Sequence, residues 1–168
     1  MSAIISDCGK FRYRLARRWG DGPALVFVML NPSTADASKD DPTIRRCLGF
    51  ARSHEFNAIE VVNLFAYRAT DPKDLKRAGY PVGPDNDQHI AEVAQAAGAV
   101  CLAWGANAQD LERPQIVLPL LRSLGVQPKC LAITSKGHPQ HPLMARGSLR
   151  MIDFTLQAID DALQKAKQ

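Results

Sequence analysis

Four short runs constrain this chain more than anything else in it: Ala24 to Leu30, Ala58 to Leu64, Ala99 to Trp104 and Cys130 to Thr134. They are nearly continuous in apolar side chains and lack the alternation of a strand with one wet face, so they read as strands covered on both sides. The intervening segments carry helix signals. Asp41-Pro42 is an N-cap followed by proline at the first helical position, and Ile44, Leu48 and Ala51 continue at helical spacing. Asp71-Pro72 starts a short helix that ends near Gly79, Asp85 to Ala97 forms another, and Pro114 to Leu124 a fourth, closed by Gly125. Met151 to Ala166 is a final amphipathic helix with Ile152, Leu156, Ile159 and Leu163 on one face. Buried strands alternating with helices predict an α/β fold, a three-layer α/β/α sandwich around a mainly parallel four-stranded central sheet. At the N-terminus Phe11, Tyr13 and Leu15 alternate with Arg12 and Arg14, a half-exposed strand that turns through Gly20-Asp21-Gly22-Pro23 into the first buried run. That adds an N-terminal hairpin strand.

No linker interrupts the 168 residues, so a single domain, 1–168, is expected. No apolar run approaches the roughly 20 residues needed to cross a bilayer, and the segment from Met1 to Gly9 lacks the pattern of a signal peptide. A cytoplasmic protein without membrane or obligate protein partner is the expectation. Cys8, Cys47, Cys101 and Cys130 stand far apart with no C-x-x-C pair, which predicts reduced, mostly buried thiols and neither a metal nor an iron–sulfur cluster. No cofactor is expected. Asp85, Asp87 and His89 read as the start of a helix rather than a metal cluster.

In a parallel sheet of this kind ligands bind beyond the carboxyl ends of the strands. Asn31-Pro32-Ser33-Thr34, Asn63-Leu64-Phe65, Trp104-Gly105 and the loop from Thr134 to Gly147 all leave those ends and are expected to meet in one crevice. Pro32 fixes the chain direction immediately after Asn31, aiming its amide from a rigid strand end. The amide of Asn63 offers one acceptor and two donors, complementary to the edge of a nucleobase. His138-Pro139-Gln140-His141-Pro142 adds two imidazoles, and a histidine there can donate to an oxygen that gains negative charge. The net charge is +4, yet no carboxylate occurs between Glu112 and Asp153, where Arg113, Arg122, Lys129, Lys136, Arg146 and Arg150 lie. A hydrogen-bonding pocket with a positive rim suits a heterocyclic base carrying phosphate, hence DNA or a nucleotide as partner. The phosphate loops G-x-x-x-x-G-K-[ST] and G-x-G-x-x-G are absent, as is G-x-S-x-G.

These motifs carry two resemblances. Val28-Met29-Leu30-Asn31-Pro32-Ser33-Thr34-Ala35-Asp36, Val62-Asn63-Leu64-Phe65 and His141-Pro142-Leu143 resemble a bacterial and phage family known only as domain of unknown function 1643. More distantly, Leu30-Asn31-Pro32-Ser33 is similar to the first active-site motif of the uracil-DNA glycosylase superfamily, in particular its mismatch-specific branch. Val62-Asn63 is similar to the strand end that reads the uracil edge. The run from Cys101 to Gln109 resembles the third-strand motif, and His141-Pro142 with Arg146-Gly147 resembles the loop that enters the DNA groove. This second resemblance implies a uracil-DNA-glycosylase-like fold and hydrolysis of a base–sugar N-glycosidic bond. It implies Asn31 and His141 as catalytic residues, the first holding water and the second stabilising the departing base. Asn63, Pro32, Ser33, Phe65 and Trp104 would bind a base flipped from the duplex. Lys136, His138, Arg146 and Arg150 would hold nucleic acid, with Leu143 or Met144 as a wedge. Two other readings stay open: a binding module without chemistry, taking a nucleotide or a nucleic-acid end, and a small-molecule hydrolase using Asp36 or Asp41 near His141.

Overall fold

The computed structural model describes residues 1–167. Its elements are β1 (Ser2–Ile5), β2 (Arg12–Arg18), β3 (Leu25–Met29), α1 (Pro42–Ser53), β4 (Ala58–Asn63), α2 (Pro72–Arg77), α3 (Asn86–Gln95), β5 (Ala99–Leu102), α4 (Arg113–Ser123), β6 (Lys129–Cys130), β7 (Ile152–Asp153) and α5 (Leu156–Lys165). The strands form one seven-stranded mixed sheet in the order β1-β2-β4-β3-β5-β6-β7. The four predicted strands are its parallel centre, β4-β3-β5-β6, while β1, β2 and β7 extend it antiparallel at the two sides.

Three expectations are corrected. The sheet has seven strands rather than four plus a hairpin strand. The strand before Gly20 does not form a hairpin with the first buried run, because β4 lies between β2 and β3. The hairpin is made instead with β1, a segment too short and too exposed to announce itself by pattern. Finally, the last helix begins at Leu156 rather than Met151. Thr155 Oγ1 accepts from the Ala158 amide at 3.1 Å and sets the N-terminus there, which frees Ile152–Asp153 to pair with β6.

The continuous apolar runs have the consequence they imply. β3 is buried from end to end, and its side chains divide between two cores. Leu25, Phe27 and Met29 meet Ile44, Cys47 and Phe50 of α1. Val26 and Val28 belong with Ile90 and Val93 of α3 and Val117 and Leu121 of α4, against which Ile159 of α5 also packs. Each such side chain contributes about 1.5–3 kcal/mol by leaving water. α1 itself starts as read: Asp41 Oδ1 accepts from the Ile44 amide at 2.9 Å. Asp85 stands at the N-cap position of α3 but makes no capping bond with its side chain.

One irregularity decides the site. In the hairpin Ile4 pairs with Arg14 and Ile5 with Arg12, so Tyr13 is an extra residue, a β-bulge. Across the bulge the side-chain parity of β2 changes. Leu15 joins the core under α1, whereas Tyr13 turns to the opposite face and stacks on His89 of α3 at 4.9 Å. Arg12 is thereby turned inward, 2% exposed, while Arg14 pairs with Glu60. Alternation puts both arginines on one wet face, and the bulge separates them. The carboxylate-free stretch is likewise not one basic face. Arg113 is buried in an ion pair with Asp87, and Lys129 pairs with Asp153 at 2.6 Å.

Candidate functional site

Beyond the carboxyl ends of β3, β4 and β5 lies a cavity of about 320 Å³, closed on one side by the start of α1 and on another by the loop bearing His141. Asn31, Ser33, Asn63, Trp104, His141 and Leu143 all line it. The crevice expected from the strand ends therefore exists. It also contains Arg12, Asp41, Thr43, Thr70 and Asn107.

Asn31 is held by its amino group, which donates to the carbonyls of Pro32 at 3.0 Å and Ala69 at 2.7 Å. Both donors are spent on backbone, so what it has left to offer is its carbonyl oxygen, an acceptor. Asn63 is the opposite case. It is 1% exposed, and its Nδ2 has no hydrogen-bond partner in the protein. Its backbone carbonyl is held by Asn86 Nδ2 at 2.9 Å, which fixes the strand end. Trp104 is also buried with Nε1 unpartnered, its ring edge-on to Phe154. An unmade hydrogen bond at a buried donor costs about 1–3 kcal/mol. Three such donors, Arg12 Nε being the third, occur on residues of this one cavity.

His141 Nδ1 accepts from the Leu143 amide at 3.3 Å, so the neutral ring carries its proton on Nε2. Burial lowers its pKa, opposed by the charge of Asp41, and the ring is a neutral donor at pH 7. Its loop is clamped to α1: Arg46 Nε donates to the Pro142 carbonyl at 3.3 Å, and the same guanidinium donates to the Ala145 carbonyl. Gly105, at φ 74°, lets this loop approach. A side chain there would meet His141 Cβ at 3.1 Å. Asp41 is the cavity's carboxylate, with one oxygen bound to the Ile44 amide.

Apart from Leu143, which lines the rim, the remaining predicted residues lie outside the cavity. Pro32 is buried behind Asn31, and its carbonyl also accepts from the Ala69 amide. Phe65 packs on Tyr80 in the other core, ring centroids 5.4 Å apart. Lys136 Nζ bonds Gln109 at 2.7 Å, and His138 is half-buried in the same loop with its pKa lowered by burial. Arg146 is exposed. Arg150 bonds the Ser53 carbonyl at the end of α1. Leu143 and Met144 are 49% and 73% exposed at the rim. Asp36 is absent from the cavity lining, its carboxylate taking up the Ser38 and Lys39 amides. Three thiols, Cys47, Cys101 and Cys130, are buried and free, and burial pushes Cys130 up to about 12. Cys8 is exposed. Among the described residues no group of three or more His, Cys, Asp or Glu is placed to hold a metal, and no helix is long and apolar enough to cross a membrane.

Sequence reasoning missed Arg12 and Arg46. Arg46 sits on the polar side of a helix with nothing to mark it, and Arg12 was hidden by the bulge. Asn107 lies within the run from Cys101 to Gln109 already singled out.

Compared with known proteins, residues 12–143 match a family described as "Protein of unknown function (DUF1643)". The matched span opens on Arg12 and closes on Leu143, the first and last residues in chain order that line the cavity. No curated protein and no solved structure matches the chain.

Proposed function

Because the chain belongs to the DUF1643 family, whose description assigns no activity, we propose its function from the cavity: it binds a nucleobase and hydrolyses the bond joining that base to its sugar in DNA. The observation that carries this reading is the buried, unpartnered Nδ2 of Asn63, set among Asn31, Trp104 and His141. A planar ligand with carbonyl oxygens on its edge satisfies such a donor, and a nucleobase is that ligand. The resemblance to the uracil-DNA glycosylase superfamily adds the order of the motifs along the chain. The two cores flanking the sheet fit the three-layer fold that this resemblance implies.

In the reaction water attacks the sugar carbon, the carbon–nitrogen bond breaks, and its electron pair leaves with the base. Asn31 is neutral and cannot take a proton, but its free carbonyl oxygen accepts a hydrogen bond from the water and orients it. Asp41, the carboxylate of the cavity, receives the water's proton. His141, neutral with its proton on Nε2, donates to the base oxygen on which charge develops. Leu143 at the rim supports the flipped state by filling the space that the base leaves in the stack.

The test is a panel of duplex and single-stranded oligonucleotides bearing uracil, hypoxanthine, xanthine and mismatches, scored for alkali-labile sites. Release of a base by the protein, lost in Asn31→Ala, is the expected result. Tight binding of the panel without release would replace the reading by that of a binding module, and neither binding nor release would remove both.

A further inference from the structure

Among the described residues three arginines are buried: Arg12, Arg17 and Arg113. Burying a guanidinium is costly unless an anion accompanies it. Two of the three follow that rule. Arg17 Nε donates to Asp40 at 2.8 Å, with further bonds to the carbonyls of Ala16 and Asp36, and Arg113 is paired with Asp87 and bonded to the Leu64 carbonyl. Arg12 departs from it. Its one side-chain hydrogen bond goes to the backbone carbonyl of Ala35, it makes no ion pair, and its Nε is buried without a partner. Burial accordingly drags its pKa down to about 10, partly offset by the charge of Asp41. Asp41 shares the cavity, but one of its oxygens is held by the α1 backbone.

The bulge at Tyr13 delivers Arg12 to the cavity wall, which Asp41, Thr43 and Ile44 at the start of α1 also line. A helix N-terminus adds positive potential at the same place. The cavity thus combines base-edge groups with a buried cation that lacks its anion. We infer that Arg12 is the anion receptor of the site and that the ligand brings the anion with it, as the phosphate of a nucleotide. This deepens the nucleobase reading and rests on it for the identity of the base-bearing part. It also relocates the phosphate contact, from the exposed loop of Lys136, Arg146 and Arg150 to the cavity interior. At about 320 Å³ the cavity is at the small end of ligand pockets and takes one nucleotide-sized ligand.

The experiment measures binding by calorimetry for the four deoxynucleoside 5′-monophosphates, dUMP and dIMP, and for the corresponding nucleosides, with inorganic phosphate as a further probe in thermal-shift measurements. For the wild-type chain, monophosphates should bind about 10- to 100-fold tighter than nucleosides, the range for a hydrogen-bonded charged group. In Arg12→Met that gap should close. Arg12→Lys, which keeps the charge, should retain part of it, and circular dichroism of both variants checks that the fold persists. A wild-type chain that gains nothing from the phosphate overturns the inference. So does a gap that survives in Arg12→Met but disappears when Lys136, Arg146 and Arg150 are all replaced by alanine. Short oligonucleotides that show the Arg12-dependent gain where free monophosphates do not would identify the phosphate as one of the DNA backbone and support the receptor role. Stabilisation by inorganic phosphate that is lost in Arg12→Met, with no preference among bases, would support the anion receptor while removing the nucleobase reading.

Discussion

Asn63 and His141 ask for different things from a ligand, and single substitutions separate them. The Asn63 amide is buried with an unmet donor, a state that costs stability whenever the cavity holds no acceptor. Asn63→Leu, of similar volume, should therefore raise the unfolding free energy by about 1–2 kcal/mol while abolishing discrimination among bases. Urea titration measures the first and the oligonucleotide panel the second; a less stable variant would mean that Asn63 holds the fold rather than the ligand. His141→Ala should lower the rate of base release about 100- to 1000-fold with little change in substrate affinity, the signature of a donor that acts as charge develops. The residue-level legibility of the site differs in the same way. Asn31, Asn63 and His141 were readable because each stands at the end of an apolar run or beside a proline. Arg12 was not readable, since its placement depends on one unpaired residue in β2 and alternation assigned it to solvent.

At the scale of elements, the loop after His138 has little regular structure, a 3-10 turn at Pro142–Met144, and is held to α1 by Arg46. Arg46 is not among the residues that line the cavity and is a positioning residue. Arg46→Met should leave the sheet intact, slow base release, and let the His141 ring hydrate, so that its pKa moves back toward 6.5. Proton NMR of the histidine ring reads that shift, which a purely global loss of stability would not produce. The central strands were legible because a strand buried on both faces has no other way to look. The elements that escaped are the short ones. β1 has four residues and β7 two, and Ile152 happened to fit the helical stripe of Leu156 and Ile159, although Thr155 was a cap signal in plain view.

At the scale of the whole molecule, His138 and His141 both have pKa values lowered chiefly by burial. The unfolded chain then binds more protons than the folded one between the depressed values and about 6.5, so stability rises with pH through that window and is lost as pH falls below about 6.5. Replacing both histidines by glutamine should flatten the melting temperature across it. An unchanged slope would assign the pH response to other groups. The site itself draws Arg12 from β2, Asn31 from the end of β3, Asp41 from the cap of α1, Asn63 from β4, Trp104 from beyond β5 and His141 from a loop past β6. Because β3 lies between β4 and β5, the chain must leave the middle of the sheet, add a strand on one side and return to add the next on the other before the walls face one another. No contiguous fragment shorter than residues 12–143 carries the whole cavity wall. Recognition is consequently tied to completion of the fold: a ligand added during refolding should register only the finished molecule, which makes its capture a clock for the last folding step.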